Sequence, residues 1–189
     1  MTADTFAGEY KSKLLNALET LDLSGIAQAI EILREARDHN RQIFVCGNGG
    51  SASTASHFVC DMVKGASFQR DKRFRILSLA DCVPTVTAYS NDVGYDCIFE
   101  EQLKNFAQQG DVVLALSGSG NSANVVKALQ YANSIGCQTI ALTGRDGGKL
   151  GPIAKLQIHV AEAHMGRIED GHMIACHMLC YYFMENHAN

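Results

Sequence analysis

A chain of 189 residues, 47% hydrophobic and 19% charged, has the composition of one globular domain able to bury a full core, and residues 1–189 are expected to form it. Its formal net charge of −4, with no Lys/Arg cluster, excludes the field that draws nucleic acid, and that partner is not expected. No apolar run approaches the roughly 20 residues that span a bilayer, and the polar opening segment lacks a signal-peptide core, so a cytoplasmic protein with no membrane partner is expected.

Phe6, Tyr10, Leu14, Leu18 and Leu21 recur at helical spacing, and Ile26, Ile30, Leu33 and Ala36 repeat the pattern, which predicts an N-terminal helical hairpin. After it, the runs Ile43–Cys46, Ile76–Leu79, Val112–Leu116, Thr139–Leu142 and Gln157–Val160 read as buried strands separated by helices. That alternation predicts an α/β fold with a parallel sheet covered on both faces. The helix after Leu116 is the best defined, with Val125, Ala128, Leu129, Ala132 and Ile135 on one stripe and Gly136 at its stop. A closing helix is expected from about Arg167 to Glu185. Seven cysteines, an odd number without a CxxC pair, fit reduced thiols inside these elements.

Two strands empty into serine-glycine loops. The first gives Gly47-Asn48-Gly49-Gly50-Ser51-Ala52-Ser53, and the second Ser117-Gly118-Ser119-Gly120-Asn121-Ser122, each just before a helix. Glycine lets backbone approach a ligand closely, and a helix start presents free N–H groups and a positive dipole end. Such a loop can hold a phosphate through amides and hydroxyls without a lysine. Ordinary strand-to-helix turns look similar, so the pairing of two loops at parallel strand ends carries more weight than either alone. Gly118-x-Gly120-x-x-Ala123 also fits a dinucleotide fingerprint, and Arg145 after the next strand could meet a ribose phosphate, which leaves an NADP-binding redox protein as an alternative.

His57 and Asp61 stand four residues apart on the helix after the first loop and so share a face, as a helix-surface His–Asp pair also would. The closing helix offers Glu169, Asp170, His172 and His177. On an ideal helix Glu169 and His177 are about 12 Å apart, so both reach one metal only if Glu169 lies at the helix start and extends down. His172 points elsewhere and reads as structural. His57, Asp61, Glu169 and His177 are chemically fit for one Zn²⁺.

The segments GNGGSASTASHFVCDMVKG, AYSNDVGYDCIFEEQL, LSGSGNS, ALTGRDGG and IEDGHMIACH, in this order, resemble the phosphoheptose isomerase group of SIS proteins over nearly the whole chain. The resemblance implies a flavodoxin-like three-layer sandwich with a five-stranded parallel sheet. It also implies a homotetramer with sites at subunit interfaces and aldose–ketose isomerisation of sedoheptulose 7-phosphate, with no organic cofactor. By position, Asn48, Gly49, Gly50, Ser51, Asn91, Asp92, Ser117, Gly118, Ser119 and Ser122 correspond to substrate contacts. His57 and His177 correspond to metal ligands, and His177 also to the general acid. Three positions depart from the family pattern: Asp61 stands in place of the catalytic Glu, Glu169 in place of a Gln ligand, and Gly118 in place of Thr. A carboxylate, Asp61 or Glu169, is expected to move the carbon-bound proton through a cis-enediolate. The replication-initiator-associating SIS proteins, which are adaptors, are the second functional class considered. They generally lack the metal-site carboxylate and histidine, so His57, Asp61 and His177 favour the enzyme.

Overall fold

The computed structural model of the chain describes residues 1–186. Five short apolar runs become one parallel sheet in the order β2-β1-β3-β4-β5: β1 Gln42–Cys46, β2 Arg75–Ser78, β3 Val112–Ser117, β4 Gln138–Thr143 and β5 Leu156–His159. The central strand β3 is buried throughout, as a strand covered on both faces must be.

Alternation along each strand sorts the core into two layers. Ile43 and Val45, Val112, Leu114 and Leu116, Ile140 and Leu142, and Ile158 face α2 (Leu23–Asp38), α3 (Gly50–Cys60) and α8 (Met165–Glu185). Phe44, Cys46, Val113, Ala115 and Ala141 face α5 (Ile98–Phe106) and α6 (Ala123–Ser134). Two smaller helices, α4 (Val83–Asp92) and α7 (Leu150–Ile153), complete the set. The expected three-layer α/β sandwich is therefore present.

Both N-terminal helices form, and α1 (Ala3–Glu19) makes its main contact with α8. Tyr10 donates to Asp170 Oδ2 at 2.5 Å, while of the residues in α1 only Ala17 is buried. The last strand lies one residue earlier than Gln157–Val160, although Val160 N–H still bonds Thr143 O at 2.9 Å. The closing helix begins two residues before Arg167 because Glu162 organises its entry. That carboxylate accepts from the N–H groups of Ala163 and His164 at 2.6 and 2.9 Å and pairs with Arg167 at 2.6 Å. The Arg167 hydrogen bond, followed by that from His164, holds the Glu162 carboxyl down at about 2.

One departure lies in backbone hydrogen bonding. α3 runs directly into a π-turn, Asp61–Gly65, closed by Ala66 N–H to Asp61 O at 2.9 Å. Its first residue is a candidate catalytic carboxylate, and π-turns of this kind are frequent at functional sites.

Candidate active site

The strand order reverses between β1 and β3, and open α/β sheets bind ligands in the crevice outside the strands' carboxyl ends at such a point. Both serine-glycine loops lie there. Asn48 of the first and Asn124 of α6 exchange reciprocal amide hydrogen bonds of 2.8 and 2.9 Å, which fixes the loops against each other. Tyr95 OH donates to Asn48 Oδ1 at 2.8 Å, and Asn124 Oδ1 also accepts from Val125 N–H. Neither Asn124 nor Tyr95 stood out in the sequence. Asn124 is buried within the apolar stripe of α6, and a polar residue in a core stripe was the available signal.

Ser122 stands at the N-cap of α6 without capping it, and its hydroxyl lies 3.3 Å from that of Ser117. Ser119 Oγ accepts from Asn121 N–H, and Asn121 in turn links the loop to Ser119 O and Lys149 N–H. Ser119 and Asn121 open onto a cleft of about 730 Å³ that Arg145, Asp146 and Glu162 also line. Gly118 has a steric reason. A Cβ there would lie 2.6 Å from Met165 Sδ, so Met165 fills the space a larger residue would take.

On the other side of the crevice, α3 and α8 pack together. Gly50 meets Glu169 near their amino ends, and His57 meets His177 two turns further on, so the helices run in the same direction. His57 Nε2 is 3.2 Å from His177 Nε2 and 3.3 Å from Asp61 Oδ2, and His177 Nε2 is 3.8 Å from the same oxygen. These three residues offer ligand atoms within 4.8 Å of one another. Two imidazoles and a carboxylate at that spacing fit a divalent cation, and three protein ligands leave a position for a substrate oxygen.

Glu169 is outside this group. It sits one turn inside α8, and its carboxylate oxygens lie 2.5 and 2.6 Å from where a Cβ on Gly50 would stand. The carboxylate thus covers the N-terminus of α3, whose positive dipole end stabilises a negative charge. Of the two loops, that leaves the one from Ser117 to Ser122 open for a phosphate.

Cys180, one turn after His177, places Sγ 3.6 Å from Asp61 Oδ2. Burial, then the Asp61 charge, pushes its thiol up to about 12. Ser51 is buried at the start of α3. Asn91 and Asp92 end α4, hydrogen-bonded to each other and exposed, and Asp92 lines a separate groove with Pro84, Tyr89 and Val93. Within one chain they are not joined to the loops. His172 is buried, with no hydrogen-bond partner for either ring nitrogen among the described residues. Desolvation pushes its pKa down to about 4, although the nearby Thr143 backbone opposes part of that shift.

Comparison with known proteins finds a match to the SIS domain family over residues 6–144. The phosphoheptose isomerase of Geobacter sulfurreducens is 39% identical over 180 residues, covering 95% of this chain and 93% of that protein. That of Helicobacter pylori strain P12 is 36% identical over 171 residues, covering 90% and 88% respectively. Among solved structures, phosphoheptose isomerase GmhA from Neisseria gonorrhoeae superposes with a TM-score of 0.89 at 30% identity, covering 97% of this chain and all of that one. A phosphoheptose isomerase from Francisella tularensis gives 0.91 at 26% identity, covering 98% of this chain and all of that one.

Proposed function

The chain belongs to the SIS domain family and, within it, to the phosphoheptose isomerases, and from that membership we propose that it is an aldose–ketose isomerase converting sedoheptulose 7-phosphate to D-glycero-D-manno-heptose 7-phosphate. The observation that carries the reading is the His57–Asp61–His177 cluster, formed where α8 packs on the π-turn and on α3, the helix that leaves one of two serine-glycine loops at the switch point of the sheet. One end of this crevice suits a phosphate and the other suits proton transfer.

The substrate phosphate takes the hydroxyls of Ser117, Ser119 and Ser122 and the first amides of α6. Asn48, held by Asn124 and Tyr95, borders the sugar chain between that anchor and α3. A carboxylate removes the C1 proton of the ketose and returns it to C2, while the hydroxyl proton moves from O1 to O2. Asp61 stands beside both imidazoles, and Glu169 stands over the start of α3 as the second carboxylate of the crevice. His177 carries the oxygen proton on a ring nitrogen that holds no metal. His57, Asp61 and His177 would hold Zn²⁺, which when bound supplies polarisation of the carbonyl oxygen.

Assembly as a homotetramer belongs to the same proposal. Phe6 and Leu15 on α1, Val83 at the start of α4 and Val93 just after it, and Met178 and Tyr181 on α8 are exposed apolar side chains that subunit contacts would cover. In such an assembly Asn91 and Asp92 would complete the site of a neighbouring copy, and Glu169 would join a metal only through subunit packing. We treat residues 1–189 as one SIS domain in the cytoplasm. Among the described residues, no helix is long and apolar enough to cross a membrane.

The test follows hydrogen exchange at C1 and C2 in deuterated water across a panel of ketose phosphates, with and without added Zn²⁺. Exchange fastest with sedoheptulose 7-phosphate, together with aldose formation, is expected. No exchange with any member of the panel would refute the isomerase reading, and faster exchange with a shorter ketose phosphate would refute the substrate.

A further inference from the structure

Asp61 has a short side chain, with one methylene to carry its carboxylate, and the groups packed around it set its direction. Its wet side faces the two imidazoles, and its dry side faces Cys180, which is 1% exposed and packed into the core beneath α8. Cys180 Sγ lies 3.6 Å from Asp61 Oδ2, the same oxygen that His57 and His177 approach at 3.3 and 3.8 Å. A carboxylate oxygen accepts, so the sulfur partner must donate.

We propose that Cys180 is a positioning residue that aims the Asp61 carboxylate at the His57–His177 pair through an S–H···O bond from the buried side. The role in metal binding rests on the metal-site reading above, whereas the hydrogen bond does not. A plain alternative exists on the same helix, because a cysteine one turn on can give its hydrogen to the carbonyl of His177, here at 3.5 Å. The two acceptors are almost equidistant, and charge decides between them. A carboxylate forms a hydrogen bond roughly twice as strong as a neutral carbonyl does.

Groups that orient metal ligands typically contribute 10- to 100-fold to affinity. In chelator-competition titrations with Zn²⁺ and Co²⁺, Cys180→Ala should weaken binding by about 10-fold. Cys180→Ser, which keeps a donor, should stay near wild type. Cys176→Ala removes a second buried thiol one turn earlier that has no hydrogen bond to Asp61 among the described residues, and it controls for lost packing. Equal affinity in Cys180→Ala and wild type would overturn the role in metal binding. An intense thiolate-to-cobalt charge-transfer band in the wild type would overturn it too, by making Cys180 a ligand. Infrared spectra of the metal-free protein separate this proposal from the metal reading. The S–H band lost in Cys180→Ala should lie low in frequency and move up in Asp61→Asn. If it moves while the wild type binds no metal, the positioning bond stands and the metal site falls. If it does not move, the thiol serves His177 O and the proposal fails.

Discussion

Gly50→Ala separates stability from chemistry. Gly50 is the first residue of α3, and its φ is not in the left-handed region, so alanine suits the backbone and should raise stability by at most about 1 kcal/mol. The added Cβ would stand 2.5 Å from Glu169 Oε1 and must drive that carboxylate back to about 3.4 Å, a retreat of roughly 0.9 Å. The obstructing atoms are the end of a flexible side chain, so folding absorbs the change at little cost. Catalysis does not, because a misplacement of about 1 Å can cost on the order of 100-fold in rate. Thermal unfolding should therefore show equal or greater stability beside a steep loss in kcat. Glu169→Gln and the double variant close the cycle: once the carboxylate is gone, the Gly50 change should have little further effect. A Gly50→Ala enzyme with full kcat would show that the position of Glu169 is not used in the reaction.

Three further outcomes are expected. Ser119→Ala should raise the dissociation constant of the sugar phosphate at least tenfold in calorimetry, because a hydrogen bond to a charged group contributes about 1.5–3 kcal/mol, and unchanged affinity would remove this serine from the phosphate site. Gly118→Thr should cost about 1 kcal/mol in urea unfolding by crowding Met165, with recovery in Gly118→Thr/Met165→Ala; a single variant as stable as wild type would contradict the steric account. For His172, the unfolded chain takes up a proton below about pH 6.5, whereas the native chain resists until about 4, so stability is full above the unfolded value and declines as pH falls through this window. The loss is on the order of 3 kcal/mol; His172→Leu should flatten that part of the pH–stability curve, and an unchanged slope would place its cause elsewhere.

The sheet was legible because its information is local. Short apolar runs between helical stripes define buried parallel strands, and the five expected strands match the observed ones within a residue or so at each end. The two loops were legible for the same reason, since each lies in one continuous stretch. The geometry between segments was not. Helical spacing put His57 and Asp61 on one face, but it could not reveal that α8 runs alongside α3 so as to bring His177 level with His57 and Glu169 level with Gly50. Asn124 read as a helix residue and Cys180 as a core thiol, because their partners lie 76 and 119 positions away. The π-turn escaped because it depends on how Asp61–Gly65 meets α8, where a Cβ on Gly65 would strike Met184.

The alignment of α3 with α8 also makes the site depend on the last segment to be synthesised. A nascent chain that has emerged only as far as residue 160 already contains all five strands and both serine-glycine loops. It lacks His177, and it lacks Ala175, Leu179 and Phe183, which cover one apolar layer of the sheet. The residues of both serine-glycine loops are thus translated before those of α8. Docking of the last helix closes the core and, in the same event, pairs the two imidazoles, so the core and the His57–His177 pair are completed together.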